Sequence, residues 1–130
     1  MGGLTKAQRV GVVIAAVFYV IAGSMHFVSP DLYIRVIPPL LPWRNQLVAT
    51  SGFFEILGGL GLLFLPSRRM AAWGLVALLV AVFPANLYVA TNPAETGTTS
   101  ISPLLRWGRL PLQAPLIWWV LWCTKRRTAY

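Results

Sequence analysis

Four apolar runs of about 20 residues constrain this chain more than any other feature of it. They cover residues 10–28, 47–65, 70–90 and 104–123. As helices rising roughly 1.5 Å per residue, each is long enough to cross about 30 Å of hydrocarbon. The chain has 130 residues, 57% of them hydrophobic and 11% charged, with mean hydropathy +0.68. A soluble domain of that size buries too little of its surface to hide so much apolar area. The expected fold is all-α: a single domain over residues 1–130, built as an integral membrane bundle of four transmembrane helices. No internal repeat is visible.

The first run has the outline of a signal peptide, with Lys6 and Arg9 ahead of it and Ala22-Gly23-Ser24 near its end. We expect it to be a retained span. Between runs one and two, Ser29-Pro30-Asp31 is a helix start, with an N-cap residue, proline at the first helical position and an acid at the positive end of the dipole. This predicts a short interfacial helix that ends before Pro38-Pro39. Pro66-Ser67-Arg68-Arg69 predicts a tight turn, and residues 92–102, rich in Thr, Ser and Gly, an exposed loop.

The net charge of +8 lies at the ends of the apolar runs, where lipid head groups are met. That placement argues against nucleic acid as a partner and for membrane lipids. Lys6, Arg9, Arg68, Arg69, Lys125, Arg126 and Arg127 fall on one side; Arg35, Arg44, Arg106 and Arg109, with Asp31 and Glu95, fall on the other. The positive-inside rule puts both termini in the cytoplasm. The six tryptophans cluster near the ends of the runs, as an interfacial belt does. A single cysteine, Cys123, excludes an intrachain disulfide and dithiol chemistry within the chain.

Polar side chains inside a membrane are costly, so their direction is informative. At 100° per residue, Glu55 shares a face with Ser51, Gly52, Gly58 and Gly59; small residues mark close helix approach, so Glu55 points into the bundle. Arg106, Arg109 and Gln113 form one stripe on the fourth run, opposite Pro111 and Pro115. His26 shares a face with Ala15, Tyr19 and Ala22, and Asn86 follows Pro84, which predicts a kink. By depth these groups converge on the outer half of the bundle and predict a polar ligand pocket of His26, Glu55, Asn86, Arg106, Arg109 and Gln113, without a metal. Structural roles compete for each: the arginines snorkel, His26 is a hydrogen-bonded interface residue, Asn86 serves carbonyls freed by Pro84, or Glu55 and an arginine act as glue.

His26-Phe27, Pro30, Tyr33, Pro38-Pro39, the segment Ser51-Gly52-Phe53-Phe54-Glu55-Ile56-Leu57-Gly58-Gly59, Phe83-Pro84-Ala85-Asn86-Leu87-Tyr88 and Pro111-Leu112-Gln113 together resemble the DoxX-like membrane proteins. The resemblance spans nearly the whole chain. It implies a four-helix bundle in a bacterial inner membrane, associated with redox systems.

Three functions follow as expectations. The first is a membrane subunit or accessory protein of a redox system, with a quinone, a similar amphiphile or a lipid in the pocket and a redox protein or a second copy as partner. In it His26 and Asn86 hydrogen-bond the ligand, Glu55 exchanges a proton and an arginine sets its charge. The chain has no electron-carrying motif, so it is not an oxidoreductase on its own. The second is a small proton-coupled transporter using Glu55, against which stands the arginine stripe if it holds Glu55 ionised. The third is a scaffold or assembly factor with a structural polar core.

Overall fold

The computed structural model describes residues 3–64 and 66–125. Leu65, the expected end of the second run, and Arg126 and Arg127 lie outside the described residues. Among the described residues seven helices follow one another: α1 (Lys6–Val28), α2 (Pro30–Ile34), α3 (Arg44–Leu63), α4 (Arg68–Ala81), α5 (Phe83–Thr91), α6 (Pro93–Thr96) and α7 (Pro103–Thr124). The described residues are otherwise turns and loops. α4 and α5 are two halves of one rod broken at Val82, beside Pro84, where proline removes a ladder hydrogen bond. Four rods result. α1 packs on α3, α3 on α4, the α4–α5 rod on α7, and α7 back on α1, which closes a four-membered ring of neighbours. α1, α3 and the α4–α5 rod are each long and apolar enough to cross a membrane.

The α1–α3 contact is the most extensive, and glycine makes it so. A Cβ on Gly23 would lie 2.7 Å from the Gly52 carbonyl oxygen, and one on Gly52 would lie 2.7 Å from the His26 Cβ. Further along, a Cβ on Gly59 would meet the Ala16 carbonyl at 3.0 Å. The seam is thus backbone on backbone, as small residues allow in helix pairs. The end holding Thr5, Ser67 and Lys125 is called the inner end, and that holding residues 29–43 and 92–102 the outer end. Toward the inner end the core is apolar, with Val12, Leu62, Ala72, Leu75, Val120 and Cys123 essentially buried.

Two side chains tie off helix ends there. Thr5 and Gln8 form a capping box at the start of α1. The Gln8 amide also donates to the carbonyls of Trp122 and Lys125, each at 2.9 Å, at the end of α7. Arg68 is buried, and its guanidinium donates to Leu62 O at 2.7 Å and Leu63 O at 3.3 Å. It caps α3 instead of facing head groups.

The segment 92–102 is largely exposed, as expected from its composition, yet it is not all loop. It carries the single turn α6, and Thr96 and Thr98 are buried. The Thr96 hydroxyl donates to Asn92 O and lies 2.9 Å from that of Thr98, so burying this polar stretch strands neither group. Gly97 has φ +70°, a left-handed conformation that calls for glycine.

Candidate functional site: a histidine–glutamate pair at a small cavity

Helical spacing lines up Tyr19, Ala22, Gly23 and His26 on α1, and Ser51, Gly52 and Glu55 on α3. The Gly23–Gly52 contact presses these faces together. His26 Nδ1 then lies 3.6 Å from Glu55 Oε2, with the two side chains 13% and 15% exposed. That distance is an electrostatic contact and too long for a hydrogen bond. The shorter bond from Nδ1 runs 2.9 Å to the Ala22 carbonyl. A carbonyl only accepts, so Nδ1 carries its proton and the free exchange position of the ring is Nε2.

Tyr33, on the interfacial helix α2, stacks on the His26 ring with centroids 3.9 Å apart and planes 19° apart. Burial pushes the Tyr33 hydroxyl up from its ordinary 10.0; the Glu55 charge adds to the rise and Arg109 opposes it. Arg109, itself exposed, reaches this site only as a charge acting on Tyr33 through space. A cavity of about 40 Å³ opens beside the pair, lined by Tyr19, His26, Ser51 and Glu55 on α1 and α3 and by Leu75, Leu78, Leu79 and Val82 in the middle of the α4–α5 rod, at and before its break. The Tyr19 hydroxyl is buried with no hydrogen-bond partner among the described residues.

The other residues expected in the pocket lie elsewhere. Arg106 is buried, and its Nη1 donates to Thr98 O at 3.2 Å, so it pins the 92–102 segment to α7. Gln113 is buried and donates to Leu79 O at 2.6 Å, in the turn of α4 just before the Pro84 break. It serves the carbonyl of the kinked rod, a task the sequence suggested for Asn86. Asn86 is half-buried and does not line the cavity. The expected pairing of the arginine stripe with Glu55 does not form among the described residues, because the Thr98 carbonyl holds Arg106 and Arg109 is exposed. Among the described residues the only charged contact of Glu55 is His26.

Tyr19 and Ser51 are the additions that the sequence pattern had signalled only as face-mates of His26 and Glu55. No group of three or more His, Cys, Asp or Glu residues is placed to hold a metal ion among the described residues. Residues 15–124 match the model of a domain family of unknown function, DUF8561. No curated protein and no solved structure matches the chain.

Proposed function

The chain belongs to the DUF8561 family, and we propose that it is an integral membrane protein of four spans in which Glu55 and His26 bind and exchange protons with the outer side. The observation that carries this is the His26–Glu55 pair itself, 3.6 Å apart at a water-sized cavity with aliphatic walls. An ionisable pair inside a membrane span is costly to keep and is the usual mark of a proton path. The objection to proton exchange was an arginine clamp on Glu55. Arg106 is engaged by Thr98 and Arg109 is exposed, so Glu55 is left to titrate against His26.

Lipid as solvent is supported by the outer surface, where Phe18, Ile21, Phe53, Phe54, Leu57, Trp73 and Val80 stand exposed along the rods. A soluble protein rarely presents so much contiguous apolar surface. α7, with 22 residues and outward-facing Leu112 and Trp118, serves as the fourth span. Arg44, Arg68 and Arg106 donate to backbone carbonyls, which leaves Lys6, Arg9, Arg69, Lys125 and, from the sequence, Arg126 and Arg127 against Arg35 and Arg109. The balance favours cytoplasmic termini, and the DoxX-like resemblance favours a bacterial inner membrane.

In its simplest form this is a small proton-coupled transporter. A second reading, the membrane subunit or accessory protein of a redox system with a quinone or similar amphiphile, is favoured by the grouping of Tyr19 and Ser51 hydroxyls with His26 against leucine and valine walls. A ring-sized headgroup requires Leu78 and Leu79 to swing aside. Liposomes carrying the protein and an imposed pH gradient test the first reading. Loss of proton flux in Glu55→Gln supports it; flux equal to wild type overturns it. A co-purifying quinone that His26→Ala releases establishes the second.

A further inference from the structure

The cavity beside Glu55 holds a polar group that the His26–Glu55 pair does not use. Tyr19 is 2% exposed, lines the same cavity as Glu55 and Ser51, and its hydroxyl is without a hydrogen-bond partner among the described residues. Burying a hydroxyl unpaired is unfavourable, so a group with hydrogen-bonding capacity belongs against it. The cavity of about 40 Å³ has room for roughly one to three water molecules, each of which needs two to four polar partners. The Tyr19 and Ser51 hydroxyls and the Glu55 carboxylate supply them.

We propose that this cavity is a water-binding site, and that its water links Tyr19 to Glu55 as a hydrogen-bonded relay in which Tyr19 is the positioning residue. This rests on Glu55 being the group that exchanges protons. The Tyr19 hydroxyl donates to the water, which donates in turn to the Glu55 carboxylate. A proton reaching the water as hydronium passes to Glu55 and leaves neutral water and a neutral carboxyl.

The titratable groups that line this cavity are Tyr19 and His26 on α1 and Glu55 on α3, whereas the α4–α5 rod contributes only Leu75, Leu78, Leu79 and Val82; behind them Tyr33 of α2 stacks on His26, and Cys123 of α7 shares the buried core with Tyr19. On the inner side Val12, Leu62 and Val120, all fully buried, close the path. Tyr19 is therefore the inner end of the polar chain, about 10 Å deeper than His26 along α1.

Infrared difference spectra between acid and alkaline pH, on protein in lipid nanodiscs, test the relay. The carbonyl stretch of the protonated Glu55 is assigned by its loss in Glu55→Gln. In Tyr19→Phe that band is expected to move to higher frequency, as a carboxyl does when it loses a hydrogen bond, and proton flux in liposomes to fall about tenfold with thermal unfolding unchanged. Ser51→Ala is expected to move the band the same way by less. A Glu55 band and a flux that are both unmoved in Tyr19→Phe overturn the relay and leave the proton-exchange reading standing. A wild-type protein with no titrating Glu55 band overturns both. If Tyr19→Phe does not fold, an experimental structure decides. Ordered water within hydrogen-bond distance of both Tyr19 Oη and the Glu55 carboxylate supports the relay, and a dry cavity overturns it.

Discussion

Gly23 and Gly52 meet so closely that a Cβ on either would lie within 3 Å of the other's carbonyl oxygen, at 2.7 and 2.9 Å. This contact sets the His26–Glu55 distance. Gly52→Ala forces the helices apart and is expected to destabilise the protein by about 1–3 kcal/mol, the usual cost of overpacking. Gly74, whose Cβ would meet nothing within 4 Å, is the control: Gly74→Ala leaves stability unchanged or improved. Thermal unfolding of both variants in detergent checks the contrast, and proton flux in the Gly52 variant falls with the lost pair geometry.

Gln113 and the Pro84 break are expected to be coupled. Gln113→Leu strands the Leu79 carbonyl, at a cost of about 1–3 kcal/mol for a buried acceptor left unpaired. Pro84→Ala lets the rod straighten, so that Phe83 N–H recovers Leu79 O and the cost of Gln113→Leu shrinks. A double-mutant cycle on unfolding free energies measures this coupling; additive effects would show that Gln113 does not serve the kink.

Arg106→Ala is expected to release the outer segment without disturbing the His26–Glu55 pair. Loss of the bond to Thr98 O speeds amide hydrogen exchange over residues 96–98, while the flux lost in Glu55→Gln persists in Arg106→Ala. A collapse of flux in Arg106→Ala would place this arginine back at Glu55.

Tyr33 shields His26, and the stack needs the ring and not the hydroxyl. Tyr33→Phe keeps His26 protected from diethyl pyrocarbonate, whereas Tyr33→Ala exposes it. The Tyr33 hydroxyl is raised above 10.0 in the folded state. The stability it contributes is thus complete below pH 10 and is lost as pH climbs through the raised folded value. Tyr33→Phe removes that part of the alkaline loss, measurable as a flatter stability profile above pH 10.

How much of this was legible beforehand depends on which partner each residue chose. Glu55 could be aimed inward because its partners are side-chain-free glycines at helical spacing, a pattern periodicity reveals. The Pro84 break was legible for the same local reason. Arg106, Gln113 and Arg68 chose backbone carbonyls, which every residue carries and no sequence pattern marks. The stripe on α7 was therefore real as a direction but silent about its targets. Gln8 closes a capping box with Thr5, but its two bonds to α7 span more than a hundred residues, and no local pattern marks them. Tyr19 sat on the right face, but a hydroxyl's lack of a partner is visible only once the walls around it exist.

The Gln8 bonds have a consequence for assembly during synthesis. α1 and α3 can zip along their glycines as soon as both have been made, and the α4–α5 rod can dock on α3 next. The carbonyls that Gln8 holds, Trp122 and Lys125, lie at the end of α7, which is made after the other three rods. The ring of helices therefore stays open on one flank until α7 emerges, and its closure joins rods that are far apart in order of synthesis.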